Sequence, residues 1–384
     1  MQEKSPTLQK TTIHEAFGTM YDPRQAGKVV HPLINILFIA LCATVCGAED
    51  WVQIAAFGRS QKEWLSQFLT IGKDTPSHDT FGTVFGMLHC EDFSDHFQAW
   101  VRLLQVQFGN HVAIDGKLVH GSKDAAIGRD AIDVVSAFAT KTGLTLAQWK
   151  VGEKTNEITA IPHLLEMLDL AGCVVTIDAM GCHRHIVEQI CEAQGDAIIA
   201  LKGNQGNLHA DTREMFAYFE KIDFADIAHS YSESVNSGHG RIEVRQAWAF
   251  DPTPYAPHFR TLDKWPHLKT LIMRRTRRIV GDKVTEQTRY FLSTLSTPVV
   301  AQIAYVRDHW QIENSLHWVL DVAFSEDNQQ VRKQHAAANC VALRHMALNL
   351  LRLDSSPGSI PVKRMKCAWD ADFRMRVLAP LLQL

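Results

Sequence analysis

Apolar positions in the first hundred residues recur at helical spacing. Residues 33–48 form an almost unbroken apolar run behind Pro32, closed by Gly47; a proline there loses no hydrogen bond, because the first N–H groups of a helix have no intrahelical partner. Residues 51–57, 61–69, 80–88 and 93–108 carry further helical patterns, and Ser77-His78-Asp79 caps the stretch beginning at 80. Beyond residue 110 the period shortens. Residues 111–114, 131–139 and 145–151 predict strands, the last two flanking the hairpin-like turn Thr140-Lys141-Thr142-Gly143-Leu144. A helix at 157–168, a strand at 173–177, a helix at 182–193 and a strand at 197–201 follow. The order β-β-β-α-β-α-β predicts three antiparallel strands leading into a right-handed βαβ unit, hence a mixed sheet with helices on its faces.

Residues 215–300 interrupt that order. Strand patterns at 231–235, 241–250, 268–279 and 284–295 predict a β-rich insertion, followed by a long amphipathic helix at 298–324 and another at 336–353, ended by Ser355-Ser356-Pro357-Gly358. The chain therefore divides into a helical N-terminal domain, 1–108, and an α/β domain, 109–384, with the insertion at about 215–300.

Composition narrows the class. Of 384 residues, 46% are hydrophobic and 21% charged, which excludes a disordered or collagen-like chain. Thirty-nine basic residues against 42 acidic ones leave a net charge of −3, so a nucleic-acid site has to come from local clustering. Two clusters exist: residues 260–289 and residues 331–384 each hold nine basic and three acidic residues. The eight cysteines form no CxxC pair, which argues against a zinc ribbon or a thioredoxin-like motif. Met1 to Lys10 is polar, unlike a secretory signal, and residues 33–48 are short for a membrane span. A soluble, cytoplasmic protein without membrane association is expected.

The chemistry lies in carboxylates at strand ends. Asp115 follows His-Val-Ala-Ile, and Asp178 follows Val-Val-Thr-Ile. In open α/β sheets functional groups gather at the carboxyl ends of strands, so two neighbouring strands would deliver both acids to one edge. A helix across that edge can supply a third: Trp310, Glu313, His317 and Asp321 share a face at spacings of three and four. Asp133, Asp321 or Glu326 could each take one place in such a triad. Three carboxylates without a soft ligand suit Mg²⁺ or Mn²⁺, and two such ions clamp the attacking and leaving oxygens of a phosphodiester.

Several longer stretches resemble one family. Ala113-Ile114-Asp115-Gly116-Lys117 resembles the first-aspartate motif of bacterial insertion-sequence transposases of the DDE type, in particular that of the H-repeat-associated proteins. Thr176-Ile177-Asp178-Ala179-Met180-Gly181-Cys182 is similar to their second-aspartate motif, and the run from Ala200 through Lys202, Asn204 and Leu208 to the strand after it. The stretch from His309 through Glu313 to Val322 resembles their glutamate helix. Asp22-Pro23-Arg24, the 33–48 helix and the stretch from Pro76 to Phe81 resemble the associated N-terminal domain. The resemblance implies a ribonuclease-H-like core with Asp115, Asp178 and Glu313 as catalytic and metal-binding acids. It further implies Mg²⁺ (or Mn²⁺) as cofactor, endonucleolytic nicking at element ends, strand transfer into target DNA, and a homodimer on DNA. The alternatives are a DNA-binding remnant without catalysis and a metal-dependent nuclease without strand transfer.

The chain departs from that pattern in places. Related transposases carry Tyr, Arg and Lys seven and four residues before the glutamate and seven after it; here Val306, His309 and Leu320 stand there, with Arg307 nearby but offset. Leu118-Val119-His120 also replace an expected Thr-Leu-Arg. Candidate DNA contacts are Lys117, Lys202 and Asn204 near the acids, Arg307, His309 and His317 on the glutamate helix, and His239, Arg241 and Arg245, which share one strand face with Glu243 by period two. Trp248 and Trp265 either stack on an unpaired base or pack in the core.

Overall fold

The computed structural model describes residues 12–152, 155–238 and 240–382. His239 and Met1 to Lys10 lie outside the described residues. The chain folds as two compact units, one of residues 109–115 and 156–312, the other of residues 1–108, 116–155 and 313–384. Among the described residues the strands, in chain order, are β1 (His111–Val119), β2 (Ile132–Ala139), β3 (Leu144–Lys150), β4 (Val174–Ile177), β5 (Asp196–Leu201), β6 (His229–Gly238), β7 (Arg241–Phe250), β8 (Thr270–Val280) and β9 (Lys283–Ser293).

In the unit containing residues 156–312 the strand order reads β1-β4-β5-β9-β8-β7-β6. β1, β4 and β5 run parallel; β9, β8, β7 and β6 continue as an antiparallel meander. β4 and β5 are almost wholly apolar and buried, as expected where both faces of a strand are covered. The Val299–His309 helix packs on β4 to β7, where Val299 and Val306 meet Val174, Ile198, Ala247, Ala249, Ile272 and Phe291 in one core cluster. The Gly206–Lys221 helix brings Phe216 and Phe219 edge-on to Phe250. The residue pattern does not predict that helix, and the insertion expected from 215 begins inside it. β6 outruns its predicted 231–235 because its sequence, His-Ser-Tyr-Ser-Glu-Ser-Val-Asn-Ser-Gly, is polar at both ends. The pairing with β7, not an apolar pattern, makes it a strand.

The other unit is mainly helical. Its strands are β2 and β3, an antiparallel hairpin, and the second half of β1. The Ala336–Leu353 helix is its centre: it packs on the Leu33–Val45, His78–Met87, Cys90–Leu103 and Ala371–Leu382 helices and on β3, and sixteen of its eighteen residues are buried. The amphipathic helix expected there is therefore corrected to a buried one, its polar residues inside. Asn339 donates to the carbonyls of Phe85 and Leu88, and Asn349 exchanges hydrogen bonds with the backbone of Thr145.

Four of the nine basic residues in the run 331–384 are internal as well. Arg344, Lys363, Arg364 and Arg374 are buried. Arg364 donates to the carbonyls of Thr44 and Ala323, Lys363 to that of Leu351, and Arg374 to that of Cys367. A cation that satisfies internal carbonyls is a packing element, not a phosphate contact. The eight cysteines are all unpaired thiols, and no described helix is long and apolar enough to cross a membrane.

Candidate active site

Strand register delivers the first two acids. β1 and β4 pair in parallel from His111↔Val174 to Ile114↔Ile177, so Asp115 and Asp178 each follow the last paired residue of adjacent strands, which lie about 4.8 Å apart. Asp178 caps the short Ala179–Gly181 turn, its Oδ1 accepting the Met180 N–H at 2.7 Å. Gly181 closes that turn against Ile177, whose side chain would lie 2.4 Å from any Cβ. The turn after β5 is tied to it twice: Asn204 Nδ2 donates to the Ala179 carbonyl (2.6 Å) and Gln205 Nε2 to that of Cys182 (2.7 Å). Asn204 thus braces the aspartate turn and its amide is used internally, while Lys202 stands exposed at the same edge.

Thr176, two residues before Asp178 and on the same strand face, is the centre of a polar relay that the sequence does not reveal. Its Oγ1 lies 2.9 Å from His111 Nε2 and 3.0 Å from His309 Nδ1. Burial pushes both imidazoles down to about 4, the charge of Asp178 opposing the shift at His309. His309 therefore registers the Val299–His309 helix on β4, and the DNA contact expected of it is replaced by this internal bond. In the helical unit His345 is likewise pushed to about 3 by burial.

These three imidazoles set an acid limit. Their folded pKa values lie below the ordinary 6.5, so between about pH 4 and 6.5 the unfolded chain binds more protons. Stability is therefore full above pH 6.5 and falls as pH drops, by up to about 1.4 kcal/mol per pH unit for each imidazole. Urea midpoints between pH 7 and 4.5 should show this fall. His111→Gln, which keeps a partner for Thr176, should flatten the slope by about a third; an unchanged slope would mean that His111 is not buried neutral.

The third acid sits in an irregular helix. The single helix predicted over 298–324 is in fact three pieces: Val299–His309, a π-helical turn Ile312–His317, and Trp318–Phe324. Glu313 and Asn314 are exposed on the π turn while Ile312 and Leu316 are fully buried, and His317 is half-buried. π turns add a residue and are frequent at functional sites, and the extra residue breaks the regular face expected from 310 to 321. Among the described residues no three His, Cys, Asp or Glu side chains gather closely enough to hold a metal ion.

Lys117 is also an internal residue. Its side chain is 11% exposed and its ammonium binds Asp321, Glu326 (2.8 Å) and Asp327 (3.8 Å); the fully buried Glu326 also receives Arg344 at 3.3 Å. Neither a phosphate contact for Lys117 nor a place in the triad for Asp321 or Glu326 fits these ion pairs. Asp133 is half-buried, its carboxyl raised by burial. Trp265 is buried, and Trp248 lies between Phe224, Tyr231 and Arg275, so both pack internally. Arg241 and Arg245 flank Glu243 on β7, and Arg307 lines a cavity of about 180 Å³ with all three.

Two carboxylates stand side by side where the parallel pairing of β1 and β4 ends, in a sheet that continues into an arginine-rich meander. Residues 107–350 match the family model described as "Transposase DDE domain", and residues 14–101 match its "DDE_Tnp_1-associated" domain. The chain is 37% identical to "Putative transposase YncI" of Escherichia coli O157:H7, over 94% of this chain and 93% of that protein. It is 36% identical to "H repeat-associated putative transposase YhhI" of Escherichia coli (strain K12), over 96% and 97%. The chain belongs to the DDE transposase family of insertion sequences.

Proposed function

We propose that this transposase nicks DNA at the ends of its insertion sequence and joins the freed 3′-OH to target DNA, with Asp115, Asp178 and Glu313 as its metal-binding acids. The matched register of Asp115 and Asp178 in a member of this family carries the reading. The core is ribonuclease-H-like, spanning 109–384 with an insertion at about 215–300, and residues 1–108 form a helical accessory domain. A homodimer on DNA fits a reaction that holds two element ends together, and the work is done at the nucleoid.

The donor set fits Mg²⁺ or Mn²⁺, since hard carboxylate oxygens without thiolates favour such ions. When bound, the ions supply Lewis-acid stabilisation and an activated hydroxyl. The chain's own residues do the positioning. Met180 N–H orients the Asp178 carboxylate, and Asn204 fixes the turn that carries it. His309 and His111 hold Thr176, and with it the helix that leads to Glu313. Lys202, Arg241, Arg245 and Arg307 are the DNA contacts of this reading, and His317, half-buried on the π turn, is a further candidate.

The test uses DNA carrying the gene's own flanks, a target plasmid, and Mg²⁺ or Mn²⁺. Position-specific nicks and joined products are expected, and both should vanish with a chelator and return when the ion is restored. Nicks without joined products would make the protein a nuclease. A stable DNA complex without nicks would make it a binding remnant.

A further inference from the structure

The meander β6–β9 has two faces of different charge. Cross-strand register puts Arg241, Glu243 and Arg245 of β7, Arg274 and Arg278 of β8, and Lys283 and Arg289 of β9 on one face. β6 adds only Ser230, Ser232, Ser234, Asn236 and Gly238 to it. Six cations there meet a single carboxylate. On the opposite face Arg275 and Arg277 are balanced by Glu233 and Glu286. The cationic face is also the one on which the Val299–His309 helix lies, because Ala247, Ala249, Ile272 and Phe291 of that face form the core with Val299 and Val306.

Within this face the cations are set against each other. Arg274 and Arg289 stand directly opposite across β8 and β9, a like-charge pairing that costs stability. On its other side Arg274 faces only the small Ala247. Arg274 Nε and Arg245 Nη1 are buried without a hydrogen-bond partner. Burial, with the charges of Arg289 and Arg245, pushes the Arg274 guanidinium down to about 10. Among the described residues no carboxylate pairs with Arg274, Arg289 or Arg307. Arg289 lies over the Trp310 ring at 5.3 Å and bonds Gln287, and Arg274 lies over Phe291 at 5.9 Å. The three arginines about Glu243 share one carboxylate, and Arg241 and Arg278 remain about half exposed. Guanidinium forks with unused N–H groups match the paired oxygens of a phosphodiester.

Resting on the transposase reading, we propose that Arg245, Arg274 and Arg289, with Arg307 beside them, form a phosphodiester-binding site that seats a DNA strand on this face of the meander. Arg278, on the same face about 13 Å along β8 from Arg274, extends the site, which therefore tracks a backbone and not a lone phosphate. Arg274 and Arg289 are its centre.

The experiment measures binding of a fluorescent duplex from the element's flank against salt concentration. Removing one cation that neutralises a phosphate lowers the salt slope by about 0.9, so Arg274→Gln with Arg289→Gln should lower it by about 1.8. The thermal midpoint should hold or rise, because a like-charge pair has gone. Arg277→Gln, on the opposite face, should leave the slope unchanged. A wild-type slope in the double variant overturns the site, as does an equal drop in Arg277→Gln, which would mark a general charge effect. Nicking measured in parallel separates the two readings: a reduced slope without nicking by the wild type fails the catalytic reading alone, and nicking with an unchanged slope fails only this site.

Discussion

Asp178→Asn should leave the protein folded and bound to DNA but reduce nicking roughly a thousand-fold or more. The carboxylate caps a turn and, in the proposed reaction, also holds an ion. As a cap, its Oδ1 accepts the Met180 N–H, and an asparagine oxygen caps as well as an aspartate. In the proposed ion-binding role its charge is not replaceable. Metal stabilisation of a transition state is worth several kcal/mol, and about 4 kcal/mol corresponds to a thousand-fold in rate. Single-turnover cleavage of labelled end DNA, with the urea midpoint measured on the same preparations, separates the roles. Equal nicking by both proteins would remove Asp178 from the reaction; a collapsed midpoint would mean that the cap, not the chemistry, had failed.

Glu326→Ala should destabilise the protein by about 3–5 kcal/mol, the usual cost of stripping one partner from a buried ion pair. Glu326 is fully buried, and burial alone would raise its carboxyl, yet Arg344 and Lys117 hold it below the ordinary carboxylate range. Removing it leaves the Arg344 guanidinium buried without its carboxylate, while Lys117 retains Asp321 and Asp327. Glu326→Gln keeps the shape and one acceptor and should cost less. Urea unfolding at pH 7 reads both; a change below about 1 kcal/mol in the alanine variant would show that the pair contributes little.

Most of the sheet is legible in the sequence because its parallel strands are short, apolar and bounded by polar residues or glycine. Ile114-Asp115 and Ile177-Asp178 mark from residue type alone where the parallel pairing of β1 and β4 ends. β1 nonetheless runs on through Lys117 to Val119, since a strand does not stop where its polarity changes if pairing continues. Less is legible where a residue's type and its position disagree. Arg344, Arg364 and Arg374 read as a surface patch, and only the tertiary fold brings Arg364 and Arg374 to the carbonyls they satisfy. The π turn at Glu313 has no compositional signature, so a regular helix is the natural expectation for it. Arg274 and Arg289 are visible as charge in the 260–289 run, but their opposition across two strands depends on register.

The helical unit is assembled from segments at both ends of the chain, and this bears on its synthesis. Leu33–Val45, twelve of whose thirteen residues end up buried, is covered by Ala336–Leu353. At about 5–20 residues per second, that partner leaves the ribosome roughly 15–60 s after the helix it protects. Throughout translation a strongly apolar helix waits for the far end of the same polypeptide. A messenger truncated before codon 336 yields a chain without that cover, and the apolar face it shields should stay exposed.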